Sequence, residues 1–349
     1  MRPSATIRDS TDCVECPTVS RLVQIRNGAE RRVAVVDEPH LHLLSGVESL
    51  YGLAADALAS GRRLHAIIAE RLTGDTLPYD EVYAGTSPWR LMTPIDHPEP
   101  AHCVVSGTGL THLGSAAHRQ AMHGKDDADL TDSMRMFRDG LDGGRPSRGT
   151  VGAAPEWFFK GTGTVLRAPG EALELPPYGH DGGEEAELAG VYLIDGEGRP
   201  RRIGMATANE FSDHALEKTN YLHLAASKLR TCSLGPELVT DPDFTLVHGS
   251  VVIERDGVSI WTKAVATGDG AMCHSLANLE HHHFKHEWHR RPGDVHVHFY
   301  GADALSFGDG VTLRDADVMV VQFDGFGRAL RNPLHVAPRS LVPCDVTPL

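Results

Sequence analysis

Three glutamates near the middle of the chain have the spacing of a metal site. Glu185 and Glu187 stand two residues apart in an apolar, strand-like stretch over residues 184–194. Side chains alternate along a strand, so these two carboxylates project to the same face. Residues 195–200 are rich in turn formers, and a second strand-like stretch follows them. A hairpin centred on this turn places Glu210 opposite Glu185, and the three carboxylates are expected to converge.

Converging carboxylates repel one another and raise each other's pKa values unless a cation lies among them. Carboxylate oxygens suit hard divalent cations, so Mg²⁺ is the expected occupant, with Mn²⁺ or Ca²⁺ next. An isolated E-x-E pair is more typical of solvated strand residues. The predicted hairpin favours the metal site because it adds Glu210 to the pair.

The composition of the chain limits the kinds of molecule that it is expected to bind. The chain has 349 residues and a formal net charge of -14, with no long run of Lys and Arg. This charge argues against binding to nucleic acid or to an anionic membrane, and a small anionic substrate would need a local cation. No apolar run approaches the roughly 18 residues of a membrane span, and the N-terminus lacks a secretory signal pattern. We therefore expect a cytoplasmic protein.

The order of patterns predicts an α+β protein. We expect a disordered leader over residues 1–19, a small N-terminal α+β domain over 20–98, a catalytic domain over 99–335 and a tail over 336–349. Many short strands joined by turns favour a mixed β structure over a doubly wound sheet. The acidic and polar segment at about 124–149 is expected to form a lid.

Several motifs occur in the order found in the fumarylacetoacetate hydrolase superfamily, which the chain resembles over residues 101–334. One departure is that Glu210 stands where most members have Asp. The matching motifs are Glu185-Ala186-Glu187-Leu188-Ala189, Ala208-Asn209-Glu210-Phe211-Ser212, Ser227-Lys228-Leu229-Arg230 with Gly235-Pro236, Pro292-Gly293-Asp294-Val295, and Leu330-Arg331-Asn332-Pro333.

This resemblance implies a C-terminal mixed β-sandwich or β-roll domain, usually assembled as a homodimer. It also implies that Glu185, Glu187 and Glu210 hold Mg²⁺ or Mn²⁺, which binds the 2-keto carboxylate of the substrate. Lys228 is then expected beside the developing enolate, either as a cationic stabiliser or as the base at C3.

Two departures bear on the reaction. The hydrolase motif G-L-N-Y-x-x-H-x-x-E is replaced by Gly109-Leu110-Thr111-His112, and the usual T-G-T-P loop is replaced at residues 299–303. Both changes resemble the 2-keto-3-deoxy-L-arabinonate dehydratase branch of the superfamily. The expected function is a Mg²⁺-dependent dehydratase that forms 2-ketoglutaric semialdehyde in non-phosphorylative pentose catabolism. The alternatives are a C–C hydrolase of acylpyruvates or other 2,4-diketo acids, and a non-catalytic sugar-acid-binding protein.

Four further residues are candidates for the site. His112 lies in a Gly-rich strand-to-helix turn and is the expected proton-handling group, with a structural histidine as the alternative. Lys160 is either a second substrate-binding cation or a solvated turn lysine. Asp303 and Ser306, in a glycine loop, are expected to meet substrate hydroxyls or to serve ordinary turn roles.

A histidine-rich segment over residues 274–289 suggests a second metal site. On a continuous helix, His282, His286 and His289 would share one face within reach of a zinc ion. The alternative, which we favour, is a polar helix that packs on the β structure.

Overall fold

The computed structural model describes residues 19–123 and 131–349. The predicted leader, apart from residue 19, lies outside the described residues, as do residues 124–130 of the predicted lid. The strands are β1 (Arg21–Asn27), β2 (Glu30–Asp37), β3 (His40–Leu44), β4 (Leu72–Pro78), β5 (Arg90–Leu91), β6 (Cys103–Gly109), β7 (Glu156–Thr162), β8 (Leu166–Arg167), β9 (Leu173–Leu175), β10 (Ala186–Ile194), β11 (Pro200–Asn209), β12 (Cys232–Val239), β13 (Val247–Arg255), β14 (Val258–Thr267), β15 (Val295–Phe299), β16 (Val318–Phe323) and β17 (Leu330–Val336).

The described helices are fewer than the strands, as the sequence pattern predicts. They are α1 (Leu50–Ser60), α2 (Leu64–Arg71), α3 (Tyr79–Tyr83), α4 (Leu113–His123), α5 (Asp132–Gly143), α6 (His214–Thr219), α7 (Leu224–Lys228) and α8 (Leu276–Phe284). The α+β fold class is confirmed. None of the described helices is long and apolar enough to cross a membrane.

Two mixed sheets carry the fold. The larger sheet has 12 strands in the order β4-β3-β2-β1-β12-β11-β10-β15-β6-β7, with β5 added beside β1 and β8 beside β12. The smaller has five strands in the order β14-β13-β16-β17-β9. Strand β15 runs parallel to β6 and antiparallel to β10. The N-terminal strands continue the larger sheet, since Arg21 of β1 pairs with Val239 of β12, so the predicted boundary near residue 98 is not a break in the sheet.

Apolar side chains fill both faces of β10. Leu188 packs with Met205, Val251 and Phe323 in the core between the two sheets. Ala189 and its neighbours on the other face pack beneath α1 and α2. Because side chains alternate between the two faces of a strand, Glu187 lies on the same face as Ala189. It lies beyond the part of that face that the helices cover.

The central hairpin has the predicted register. Ala186 pairs with Asn209 and Glu187 with Ala208, and one irregularity follows at Val191 and Tyr192. The amide of Glu210 donates to the carbonyl oxygen of Glu185 at 3.0 Å. The residues predicted to face each other are therefore paired at the open end of the hairpin.

The described part of the predicted lid, residues 131–149, contains a helix. Thr131 caps α5 by accepting a hydrogen bond from the amide of Met134 at 3.3 Å. Phe137 of this helix is buried beside Leu110 and Cys273, directly next to the turn that carries His112. Residues 131–143 therefore pack against the domain.

Candidate active site

The three predicted carboxylates converge. Glu185, Glu187 and Glu210 are all buried, and each offers an oxygen that lies within 4.8 Å of the other two. Among the described residues, this is the only group of His, Cys, Asp and Glu side chains that could hold a metal ion by this distance criterion. Three oxygen ligands from carboxylates form a donor set suited to a hard divalent cation.

Lys228 lies within this cluster. It is the last residue of α7, and its buried Nζ atom donates to Glu185 Oε1 at 2.5 Å and to Glu210 Oε2 at 2.6 Å. The hydroxyl of Ser212 lies 2.9 Å from Nζ, and the carboxylate of Glu217 lies 3.6 Å away. The ammonium group lies over the ring of Phe158, whose centroid is 4.8 Å from Nζ.

A second lysine approaches Glu210 from β7. The Nζ atom of Lys160 lies 2.9 Å from Glu210 Oε1 and donates to the carbonyl oxygens of Phe211 at 2.8 Å and Lys228 at 2.9 Å. Lys160 is 1 % exposed, so it is not a solvated turn lysine. Its substrate-binding role stays a prediction, and its three contacts show that it holds the end of β11 to α7.

The surroundings of the three acids in the cluster favour different charge states. Burial raises the pKa of Glu187 well above its usual value, and the charges of Glu210 and Glu185 raise it further. Burial acts in the same direction on Glu185, but Lys228 and His214 outweigh it and hold the pKa of Glu185 well below its usual value. Glu187 is thus the acid whose surroundings most oppose the charged form, and a divalent ion at the cluster would favour that form.

The loop after β15 supports Glu187 from the opposite side. The amide of Gly301 donates to Glu187 Oε2 at 2.7 Å. Gly301 has a φ of 100°, and a Cβ atom there would lie 2.0 Å from the Thr111 hydroxyl. Only glycine fits this close approach, which explains why the loop can present its amide to the metal site.

His112 is fully enclosed. Thr111 Oγ1 donates to the carbonyl oxygen of Tyr300 at 2.7 Å, so it accepts from His112 Nδ1 at 2.9 Å. The other ring nitrogen, Nε2, therefore accepts from Thr267 Oγ1 at 3.2 Å. Burial lowers the pKa of His112 to about 4, although the charge of Asp303 opposes the shift. The neutral ring is bound at both nitrogens, and its catalytic role stays a prediction.

Asp303 and Ser306 are both held by the protein. Asp303 Oδ2 accepts from the amide of Ala266 at 3.2 Å. Ser306 donates its amide and its hydroxyl to Glu184, at 2.7 and 2.6 Å. These bonds fasten the loop that follows β15 to β14 and to the start of β10. Binding of substrate hydroxyls by Asp303 or Ser306 stays a prediction.

The zinc interpretation of the histidine-rich segment is wrong for this structure. Helix α8 ends at Phe284, so His286 and His289 do not continue the face of His282. His282 Nε2 instead contacts the carbonyl oxygen of Gly152 at 3.1 Å, and His289 Nδ1 donates to the carbonyl of His283 at 2.5 Å. The segment packs on the β structure as expected, and His282 and His289 each bond a backbone carbonyl oxygen.

Two residues near the cluster were not predicted from the sequence. His214 Nε2 lies 3.1 Å from Glu185 Oε1, and the hydrogen bond and charge of Glu185 raise the pKa of His214 against the opposing effect of burial. Glu156 is buried on the face of β7 that also carries Phe158 and Lys160, and it accepts from the hydroxyl of Tyr221. The alternation of Glu156, Phe158 and Lys160 could have indicated that their side chains share one face of β7. For His214 the sequence offered only its position four residues after Glu210.

Solved structures with the same fold include dehydratases, isomerases and hydrolases. A 2-keto-3-deoxyarabinonate dehydratase matches with a TM-score of 0.67 and 18% identity, covering 91% of this chain and 99% of that chain. A 5-carboxymethyl-2-hydroxymuconate delta-isomerase from Mycobacterium smegmatis matches with a TM-score of 0.54 and 18% identity, over 91% and 100% of the two chains. A fumarylacetoacetate hydrolase from Exiguobacterium antarcticum matches with a TM-score of 0.56 and 16% identity, over the same shares.

The chain therefore has the fold of the fumarylacetoacetate hydrolase superfamily, as its ordered motifs predict. Another solved structure with this fold is a 2-keto-3-deoxy-D-arabinonate dehydratase in complex with magnesium and 2,5-dioxopentanoate. It matches with a TM-score of 0.67 and 18% identity, covering 91% of this chain and 99% of that chain. No family model matches the chain, and no curated protein matches it by sequence.

Proposed function

We propose that this protein is a Mg²⁺- or Mn²⁺-dependent hydro-lyase that dehydrates a 2-keto-3-deoxy sugar acid. The first substrate to test is 2-keto-3-deoxy-L-arabinonate, which would give 2-ketoglutaric semialdehyde. The observation that carries the proposal is the buried cluster of Glu185, Glu187 and Glu210 with the ammonium group of Lys228 bonded to two of them.

A cation suits this cluster because three buried acids share two lysine partners and because burial and the neighbouring carboxylates disfavour the charged form of Glu187. Bound by Glu185, Glu187 and Glu210, Mg²⁺ would hold the carboxylate and keto oxygens of a 2-keto acid and make its C3 protons more acidic.

Lys228 is proposed to act at the keto end of the substrate. As an ammonium group it would stabilise negative charge that develops on the keto oxygen, and as a neutral amine it would take a proton from C3. Its bonds to Glu185 and Glu210 favour the ammonium form, so we assign it first as the electrostatic stabiliser.

Loss of the C4 hydroxyl requires a proton donor. His112 is the candidate predicted from sequence. Its Nε2 accepts a hydrogen bond from Thr267 in this structure, so it would first have to take up a proton there before it could donate one to the leaving hydroxyl. Glu156 is the second candidate. Its side chain is on the same face of β7 as Phe158, which underlies Lys228. A Cβ atom at Gly109 would lie 1.9 Å from Glu156 Oε1, so a glycine there is needed to accommodate this carboxylate.

The direct test is turnover of defined 2-keto-3-deoxy acids. Purified protein with Mg²⁺ or Mn²⁺ should form 2-ketoglutaric semialdehyde from the L or the D enantiomer of 2-keto-3-deoxyarabinonate, and EDTA should stop the reaction. Both enantiomers belong in the assay because the structurally similar dehydratase acts on the D form. Absence of semialdehyde from every 2-keto-3-deoxy pentonate, with metal bound, would refute the proposal.

A C–C hydrolase of 2,4-diketo acids is the second candidate function, favoured by the similarity in fold to a fumarylacetoacetate hydrolase. Pyruvate release from an acylpyruvate, in place of dehydration, would support it. A sugar-acid-binding protein without catalysis would instead bind Mg²⁺ together with a 2-keto acid and give no product. The proposal also includes a cytoplasmic homodimer that serves L-arabinose catabolism. Sedimentation tests the dimer, and growth on L-arabinose after gene deletion tests the metabolic role.

A further inference from the structure

His214 is held in one position by the start of helix α6. Asp213 caps this helix by accepting a hydrogen bond from the amide of Leu216 at 2.9 Å, which places His214 as the first helical residue. The amide of Ser212 also donates to the carbonyl of Gly183 at 3.0 Å. These backbone bonds fix the base of the imidazole next to the strand that carries Glu185.

The ring itself has little freedom. His214 is 1 % exposed, and its ring centroid lies 5.4 Å from that of Phe307. On the opposite side, a Cβ atom at Gly183 would lie 2.2 Å from His214 Nδ1, so only a glycine leaves room for the imidazole there. Rotation of the ring away from Glu185 would need one of these neighbours to move.

The imidazole of His214 bonds one oxygen of Glu185, a predicted metal ligand. His214 Nε2 lies 3.1 Å from Glu185 Oε1, which also accepts from Lys228 Nζ at 2.5 Å. Both donors meet the same oxygen, and the two bonds together set the plane of the carboxylate. The other oxygen of Glu185 is then left for a cation. Carboxylate ligands of metals are generally oriented by hydrogen bonds of this kind.

We propose that His214 is a positioning residue of the metal site, which acts by donating Nε2–H to Glu185. This inference rests on the proposed function, because it requires that Glu185, Glu187 and Glu210 bind a divalent cation. Lys228 cannot replace His214, since the lysine divides its bonds between Glu185 and Glu210. Loss of the imidazole would therefore leave Glu185 free to rotate about its terminal bond.

The experiment compares two exchanges of similar size in the full-length protein. His214→Gln keeps an amide donor near the position of Nε2, whereas His214→Met fills the space without a donor. Mn²⁺ dissociation constants are measured by electron paramagnetic resonance, with no substrate present. Buried His298, which bonds Ser106 and makes no described contact with the acids, provides a matched control as His298→Gln.

We expect His214→Met to weaken Mn²⁺ binding by roughly 10- to 100-fold, the usual effect of removing a hydrogen-bond partner of a metal ligand. His214→Gln and His298→Gln should stay within about threefold of the wild type. If His214→Met does not fold, as judged by melting in EDTA, His214→Asn is used, because its shorter amide does not reach Glu185.

Wild-type affinity in folded His214→Met or His214→Asn overturns the inference and leaves the proposed function intact. Equal weakening in His214→Gln and His214→Met also overturns it, because the donor would then not be the property that matters. If the wild-type protein binds neither Mn²⁺ nor Mg²⁺, the proposed function fails, and the role of His214 fails with it.

Discussion

The Nζ atom of Lys228 lies 2.6 Å from Oε2 of Glu210, and both side chains are buried. The other oxygen of the same carboxylate, Oε1, lies 2.9 Å from Lys160. Glu210 thus bridges two lysines that come from different elements, β7 and α7. Glu210 stands where Asp is usual in the motif that the chain resembles. Its longer side chain still reaches both ammonium groups and the other two acids.

Replacing Lys228 by Met should abolish most of the catalytic activity. The change removes the cation that lies beside the acids, and we expect kcat to fall by roughly 10²- to 10⁴-fold, the range for a residue that handles protons or charge in a transition state. Steady-state rates with saturating Mg²⁺ check this. Lys218→Met, in the neighbouring helix α6 and exposed, is the control and should keep full activity. Comparable rates in the two variants would remove Lys228 from the mechanism.

Added Mg²⁺ should stabilise the wild-type protein, because only the folded chain brings the three acids together. At a free concentration 100 times the Kd, the gain in the free energy of unfolding is about 2.7 kcal/mol. Melting temperatures with Mg²⁺ and with EDTA measure it. Glu187→Gln should lose most of this shift. Glu184→Gln should retain it, because Glu184 binds Ser306 and lies outside the cluster. An unchanged shift in Glu187→Gln would mean that the ion binds elsewhere.

Exchange of Lys160 for Met should destabilise the fold more than it impairs substrate binding. Removing one partner of a buried ion pair leaves the charge on Glu210 less well compensated, at a cost of about 3–5 kcal/mol. Urea unfolding measures the loss. Lys263→Met is the comparison, since Lys263 pairs with Asp309 at the surface, where such pairs contribute at most about 1 kcal/mol. A large rise in KM with unchanged stability would instead place Lys160 on the substrate.

Acidification should destabilise the protein through its buried histidines. Burial, together with the charges of neighbouring histidines, lowers the pKa values of His296 and His298 to about 3. Because the folded pKa lies below the unfolded value near 6.5, this stability is complete above about pH 6.5 and is lost as the pH falls toward 3. Each residue should contribute a loss of about 2 kcal/mol between pH 6.5 and 5.

Urea unfolding at these two pH values, in EDTA, checks the histidine effect. His298→Gln removes one of the two titrating groups while keeping an amide that can bond Ser106, so its loss of stability between pH 6.5 and 5 should be smaller by about 2 kcal/mol. An identical pH dependence in the variant and in the wild type would contradict the assignment to His298.

Local patterns were enough to predict the acid site. The alternation of Glu185 and Glu187 and the turn after Ile194 define the hairpin register, and this register is the one observed. The reason is that a hairpin is a short-range structure, in which side-chain period and turn position decide which residues face each other. Helical spacing put His282, His286 and His289 on one face, and this was wrong because nothing local marked the end of α8 at Phe284; the favoured alternative, a polar helix packed on the β structure, is the one observed.

Contacts between distant parts of the chain could not be predicted from local sequence patterns. The sequence by itself determined three converging carboxylates, a hard cation as their expected partner and a lysine in a motif beside them. Only the tertiary structure decided that Lys228 and Lys160 meet on Glu210, that His214 bonds Glu185 and that Thr111 and Thr267 enclose His112. These partners come from separate strands and helices, and their distances depend on how the sheets and the short helices pack, which no local periodicity encodes.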